Sequence, residues 1–334
     1  MFDRYLVTGV TGFLGRVIVE KLIERGANVS ALVLPNDPNK KLLPAKARVY
    51  IGDVRTKSSL NRFFDGTDSK TCVIHCAGIV SVASNPGCQL HQVNESGTWK
   101  ITRQCTEHGV GRLVYVSSVH ALPEKPKGAV ITEDCKISPG LVRGEYARSK
   151  ATATTLVFEA EQRGLNASVV FPSGIIGPGD LQGGSLTTMA TRFLSGRLPI
   201  AVRGGYDFVD VRDVAEGVLA CAEHGQTGKG YILSGHYITI QEMLQTIGEA
   251  ADRPRHTLYL PLWLARLAAP RFERYAIKAK KPLFFTPYSV AVLGSNGCFS
   301  HAAASEDFDY QPRPMKMTLR DMTLWLMEQE NSAE

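Results

Sequence analysis

The chain has 334 residues, 44% hydrophobic and 21% charged, which is enough to bury one large core with a smaller lobe beside it and too apolar for a disordered chain. Its net charge of +6 comes from basic residues spread along the sequence rather than gathered in one run, so a nucleic-acid partner is not expected and small anionic ligands are. No uninterrupted apolar span of about 20 residues occurs, and no secretory leader precedes the first apolar run.

That first run, Tyr5-Leu6-Val7, leads into Thr8-Gly9-Val10-Thr11-Gly12-Phe13-Leu14-Gly15, after which Leu14, Val17, Ile18 and Leu22 recur at helical spacing. Strand, tight turn and helix follow. Glycines at such a turn let the backbone approach a pyrophosphate and let helix pack on strand, while the helix N-terminus supplies N–H donors. Gly9, Thr11, Gly12, Phe13 and Leu14 are therefore candidate dinucleotide-binding residues, although glycine-rich turns also join strands to helices with no ligand. The next strand, residues 29–34, ends in Leu32-Val33-Leu34-Pro35, followed by Asn36, Asp37, Lys40 and Lys41. An acid here selects ribose hydroxyls and an arginine accepts an extra phosphate. Leu34 is neither, and Asp37, the nearest charge, leans the reading to NAD over NADP, with the lysines able to fold back toward a phosphate.

Residues 49–51, 72–76, 113–117, 168–171 and 230–233 read as further strands, most of them separated by helical stretches, so the fold class is α/β with a doubly wound parallel sheet. Cys72, His75 and Cys76 lie on one apolar strand whose neighbouring side chains face opposite sides, which favours buried thiols over metal ligands, and no metal is expected. The seven cysteines are an odd number without paired spacing; reduced thiols and a cytoplasmic location follow. In Tyr146-Ala147-Arg148-Ser149-Lys150 the tyrosine and lysine share a helix face. An adjacent ammonium favours the phenolate, so Tyr146 is a candidate general acid or base, with Lys150 lowering its pKa. On its own, a tyrosine four residues before a lysine is as compatible with a solvated helix face.

With these motifs in place, the chain from Tyr5 to about Arg320 resembles the extended short-chain dehydrogenase/reductases of the NAD-dependent epimerase/dehydratase superfamily. Further segments match in order: Gly52-Asp53-Val54, His75-Cys76-Ala77-Gly78, Val93-Asn94-Glu95-Ser96-Gly97-Thr98, Val114-Tyr115-Val116-Ser117-Ser118, Phe171-Pro172-Ser173-Gly174 and Phe208-Val209-Asp210-Val211-Arg212-Asp213. The resemblance implies that Asp53, with Val54, meets the adenine, that Ala77 and Gly78 pass the adenosine ribose, and that Asn94 shapes the cofactor site. It places Pro172 and Ser173 on the nicotinamide side. It makes Ser118 the catalytic serine, with Ser117 its rival, and has Lys150 bond the nicotinamide ribose. The implied cofactor is NAD or NADP and the implied activity a dehydrogenase or reductase.

The dehydratases of the superfamily carry an Asp-Glu pair just after the serine, where this chain has Val119-His120, and its Pro172-Ser173 resembles the dihydroflavonol 4-reductase and 3β-hydroxysteroid dehydrogenase branches. A secondary alcohol or ketone on a hydrophobic or ring-shaped molecule is the expected substrate. The alternatives are a nucleotide-sugar epimerase, for whose diphosphate Arg203, Arg212 and Lys281 are the nameable cations, and a non-catalytic dinucleotide sensor. Residues 1–180, with 207–235 returning, form the expected dinucleotide-binding domain, and 181–206 with 236–330 the substrate-binding lobe. Within that lobe, residues 261–282 mix Leu262, Trp263, Leu264, Leu267, Phe272, Tyr275 and Ile277 with arginines and lysines. Lid packing, a substrate wall that includes Trp263, and peripheral membrane contact all fit such a basic amphipathic segment. A homodimer is the assembly held open.

Overall fold

The alternation of apolar strands and amphipathic helices builds a large parallel sheet in the computed structural model, which describes residues 2–281 and 283–332. In chain order, β1 (Arg4–Thr8), α1 (Phe13–Glu24), β2 (Val29–Val33), β3 (Arg48–Ile51), α2 (Lys57–Phe64) and β4 (Thr71–His75) come first. A short α3 (Cys88–His91) then runs through a π turn, Gln92–Gly97, into α4 (Thr98–Glu107), followed by β5 (Arg112–Val116), α5 (Glu145–Gln162) and β6 (Ala167–Pro172). After these come β7 (Gly174–Ile176), α6 (Ser185–Leu194), β8 (Ile200–Val202), β9 (Gly205–Asp210), α7 (Val211–His224), β10 (Gly230–Leu233), β11 (His236–Thr239) and α8 (Ile240–Ala250). The chain closes with β12 (Leu258–Leu260), α9 (Leu262–Lys278), α10 (Pro287–Leu293), α11 (Ala302–Phe308) and α12 (Met315–Asn331).

The main sheet has seven strands in the order β10-β6-β5-β4-β1-β2-β3, every pair parallel. Parallel strands need crossovers that cover both faces, so the strands are apolar on both sides. Leu6, Val73, Leu113 and Tyr115 enter the core beneath α2, α4 and α5, while Tyr5, Val7, Cys72, Ile74 and Val114 enter the core beneath α1 and α7. The strand order turns back between β1 and β4, and a ligand crevice belongs at the carboxyl ends there. A smaller three-stranded sheet, β11-β9-β7, and a two-stranded one, β12-β8, lie in the later part of the chain. Two contacts tie β9 to the segment after β10: Gly235 N–H donates to Asp207 Oδ1 at 2.9 Å, and β11 pairs antiparallel with β9.

Candidate active site

The turn after β1 is built around missing side chains. Gly9 has φ of +70°, and a Cβ there would stand 2.6 Å from the Ala77 backbone nitrogen; at Gly15 it would meet the Gly9 carbonyl oxygen at 2.1 Å. Backbone therefore approaches backbone: the turn lies against the end of β4, and α1 lies against the turn, as only glycine permits. Gly12 caps α1 with no side-chain hydrogen bond, and no acid stands in the first turn. Open N–H donors and the positive end of the helix thus face the crevice, a cradle that fits a dinucleotide pyrophosphate. Leu14 is buried in the core below, and Phe13 packs partly against it.

Around this turn the remaining cofactor candidates gather. Thr11 donates its hydroxyl to Asp37 Oδ2 at 2.7 Å, and Asp37 also caps residues 38–42 by accepting from Asn39 N–H at 2.9 Å. The carboxylate is thereby fixed beside the glycine turn, whereas Leu34 is 49% exposed and offers no charge. Burial alone would raise the Asp53 carboxyl, but the Arg55 guanidinium, bonded to Oδ2 at 2.9 and 2.6 Å and to Oδ1 at 3.1 Å, holds it below its ordinary value. Val54 is buried, and a Cβ on Gly97 would meet its Cγ2 at 2.8 Å, which fits the π turn tightly against it. Thr8 Oγ1 accepts from Ala77 N–H and bonds His75 Nδ1, whose other nitrogen meets Thr98. Burial pushes the His75 imidazole down to about 3, so the ring is neutral and structural. Cys72 and Cys76 have their thiols pushed up by burial and are free.

Asn94, 1% exposed, accepts from Ile79 N–H at 2.7 Å and donates to Ile79 C=O and to Ser149 Oγ, both at 3.0 Å. It clamps the segment after β4 to α5. A Cβ at Gly78 would stand 3.4 Å from Asn94 Oδ1 and 3.5 Å from Lys150 Nζ, which brings the two groups to one rim. Pro172 ends β6, and Ser173 follows it, buried.

Ser118, Tyr146 and Lys150 are all buried. The two serines after β5 divide their work. Ser117 Oγ is taken up by Thr154 Oγ1 at 2.7 Å inside the protein, while Ser118 stands beside Tyr146 and lowers its pKa against the dominant effect of burial, which leaves the phenol up at about 12. The Lys150 ammonium donates to Val116 C=O at 2.8 Å and sits 5.0 Å over the Tyr115 ring. Burial lowers Lys150 to about 8, so it remains largely cationic near neutrality.

Three aromatic groups that sequence reasoning did not assign to the site close over Tyr146. His120 meets Tyr146 edge-on at 5.9 Å, stacks on Tyr206 at 5.6 Å and 6°, and lies 5.8 Å from Tyr288. Burial holds His120 neutral, down at about 4. The Tyr288 hydroxyl is buried with no hydrogen-bond partner among the described residues, a cost of about 1–3 kcal/mol that a bound polar group would relieve. These residues come from three distant segments and share no spacing; the only local signal was that His120 replaces an acid. The nameable diphosphate cations are not in this cluster. Arg212 is ion-paired to Asp210 and Asp321 at 2.7 Å each, Arg203 is exposed, and Lys281 lies over the Tyr275 ring. Trp263 is 64% exposed, which is not the burial of a substrate wall.

Comparison with known proteins agrees with this geometry. The sequence profile of the NAD dependent epimerase/dehydratase family matches residues 5–234. The chain is 29% identical to sterol demethylase protein B of Methylococcus capsulatus, across 97% of this chain and 98% of that one. It is 31% identical to a putative dihydroflavonol 4-reductase of Synechocystis, across 79% and 77%. A mouse sterol-4-alpha-carboxylate 3-dehydrogenase, decarboxylating, is 27% identical across 92% and 86%. Among solved structures, gox2253 superposes with a TM-score of 0.84 at 28% identity, covering 98% of both chains. The glycine cradle, the parallel sheet and the profile match together place the chain in the NAD dependent epimerase/dehydratase family, as an NAD-dependent enzyme of the extended short-chain dehydrogenase/reductase type.

Proposed function

We propose that this enzyme interconverts a secondary alcohol and a ketone on a hydrophobic, ring-shaped substrate of sterol-like or flavonoid-like character. The observation that carries the reading is the buried Tyr146 hydroxyl, with Ser118 beside it, under a neutral lid of His120, Tyr206 and Tyr288. When bound, the nicotinamide dinucleotide donates or accepts the hydride. Gly9, Thr11, Gly12, Phe13 and Leu14 would cradle its pyrophosphate, Asp37 its adenosine ribose and Asp53 with Val54 its adenine. Ala77, Gly78, Asn94, Pro172 and Ser173 would line the remaining path. Tyr146 donates its proton to the developing alkoxide in reduction and takes it back in oxidation, while Ser118 holds the same oxygen and stabilises its charge. Lys150, anchored on Val116 C=O, would offer its ammonium to the nicotinamide ribose.

Burial of apolar area at roughly 25 cal/mol per Å² would hold such a substrate with few polar contacts, and neutral aromatic walls serve that purpose. A nucleotide sugar needs cations for its diphosphate, and the three that could be named stand elsewhere. The sterol names of two relatives favour 3β-hydroxysterols, with and without a neighbouring carboxylate, as the first substrates to try. Free thiols throughout favour a cytoplasmic setting. The test is a panel of such sterols, a dihydroflavonol and UDP-glucose, followed by nicotinamide absorbance. Turnover of an apolar alcohol or ketone is the expected outcome; micromolar binding of UDP-glucose with no response to apolar substrates would promote the epimerase.

A further inference from the structure

Helix α9 is turned inside out relative to an ordinary amphipathic helix. Its buried positions are Ala265, Ala269, Glu273 and Ala276, a narrow stripe of mostly small residues. Its large apolar side chains stand outside: Trp263 is 64% exposed, Leu267 61%, Ile277 58%, Tyr275 54% and Phe272 45%. A core-facing helix hides its bulky residues, and a contiguous exposed set of this kind marks an interaction surface. The same face is strongly basic. Arg266, Arg271, Arg274, Lys278, Lys280 and Lys281 fall within residues 262–281, against Glu273 as the one acid. Glu273 is spoken for, accepting from Ser84 N–H and Ser84 Oγ at 2.7 Å each. The cations have no other acid on their own helix. Arg271 and Arg274 reach only backbone carbonyls one turn back, and Lys281 reaches the Tyr275 hydroxyl.

From this arrangement we infer that α9 docks the enzyme on an anionic lipid bilayer, lying in its surface with Trp263, Leu267 and their neighbours inserted and the cations at the headgroups. Charge complementarity selects this occupant. A second copy of the chain would bring a like-charged face against this one in a two-fold pairing, which the six cations oppose. An interfacial helix needs the combination found here: aromatic and aliphatic residues beside arginines and lysines, with the aromatic rings at headgroup depth. The helix lies on the membrane rather than crossing it, for no helix among the described residues is long and apolar enough to span. A cleft of about 210 Å³ lined by Arg192, Phe272, Tyr275, Ala276, Lys281 and Phe284 opens beside the same face. The surface is coupled to the site: α9 packs on α10, which carries Tyr288, and grips through Glu273 the segment that follows β4.

The test needs no substrate, so its outcome is independent of the proposed reaction. The full chain is sedimented with vesicles of phosphatidylcholine alone and of phosphatidylcholine containing about one-third phosphatidylglycerol. Binding to the anionic vesicles is expected, weakening as salt rises. In a chain carrying Trp99→Phe and Trp325→Phe, the emission of Trp263 should shift to the blue on binding. The pair Trp263→Ser with Leu267→Ser, and the pair Arg271→Glu with Arg274→Glu, should each weaken binding by tenfold or more at an unchanged melting midpoint. Absence of binding to anionic vesicles, or binding by both double variants as tight as that of the unsubstituted chain, overturns the inference. So does a concentration-dependent dimer that Trp263→Ser abolishes, which would make the face a contact between copies of the chain.

Discussion

At the scale of single residues, the two serines after β5 separate by what they touch. Ser117 is bonded to Thr154, whereas Ser118, which accepts from His120 N–H at 3.3 Å, stands beside the Tyr146 hydroxyl. Ser118→Ala and Tyr146→Phe are expected to lower turnover by about 10²-fold or more with nicotinamide dinucleotide affinity nearly unchanged, because each removes a group aimed at the reacting oxygen. Ser117→Ala should cost stability, about 1 kcal/mol for a lost buried hydrogen bond, and leave turnover within a few-fold. Steady-state kinetics beside a thermal melt separate the two outcomes; a turnover loss confined to Ser117→Ala would reverse the assignment. Lys150, four residues after Tyr146, shares its helix face, and its flexible stem carries the ammonium to Val116.

At the scale of elements, the β1–α1 turn and the end of β2 decide which dinucleotide fits. Asp37 is held by Thr11 and by its capping of residues 38–42, so its carboxylate cannot swing away from an incoming phosphate. Lys40 and Lys41 stand exposed in the same turn. Asp37→Asn keeps the cap and the threonine contact while removing the charge. The ratio of the NADPH to NADH dissociation constants should then fall by about tenfold, or some 1.4 kcal/mol. Fluorescence titration of both reduced dinucleotides measures it, and an unmoved ratio would place Asp37 away from the ribose.

At the scale of the whole molecule, Asp207 joins the small sheet to the main one. It is 4% exposed, accepts from Gly235 N–H, and is pushed by burial up to about 6. A carboxyl whose folded pKa exceeds its unfolded value binds the proton more tightly when folded. Its contribution is therefore fully present below pH 4 and is lost as pH rises from about 4 to about 6, amounting to about 3 kcal/mol at most. Asp207→Asn should flatten the stability profile across that window and leave the protein equally or more stable at pH 7. Denaturant melts at pH 4.5 and pH 7 provide the check; a variant with an unaltered slope between them would show that Asp207 is charged throughout.

The sequence by itself determined the parallel sheet and the glycine turn and put Tyr146 and Lys150 on one helix face, because each rests on local pattern: apolar runs, a turn that excludes side chains, and a four-residue helical repeat; Ser118 came only from the family resemblance. Gly9 and Gly15 were legible for the same reason, since a forbidden Cβ leaves its mark in the residue type. Only the tertiary structure decided that His120, Tyr206 and Tyr288 meet beside Tyr146, that Ser117 is spent on Thr154 and that Lys150 binds Val116. Those contacts join segments 26 to 168 residues apart or depend on the path of a flexible side chain, and no one-dimensional spacing encodes either. The same holds for α9, whose mixture of apolar and basic residues was plain in the sequence. Which of them faced outward depended on what the rest of the fold left room to cover.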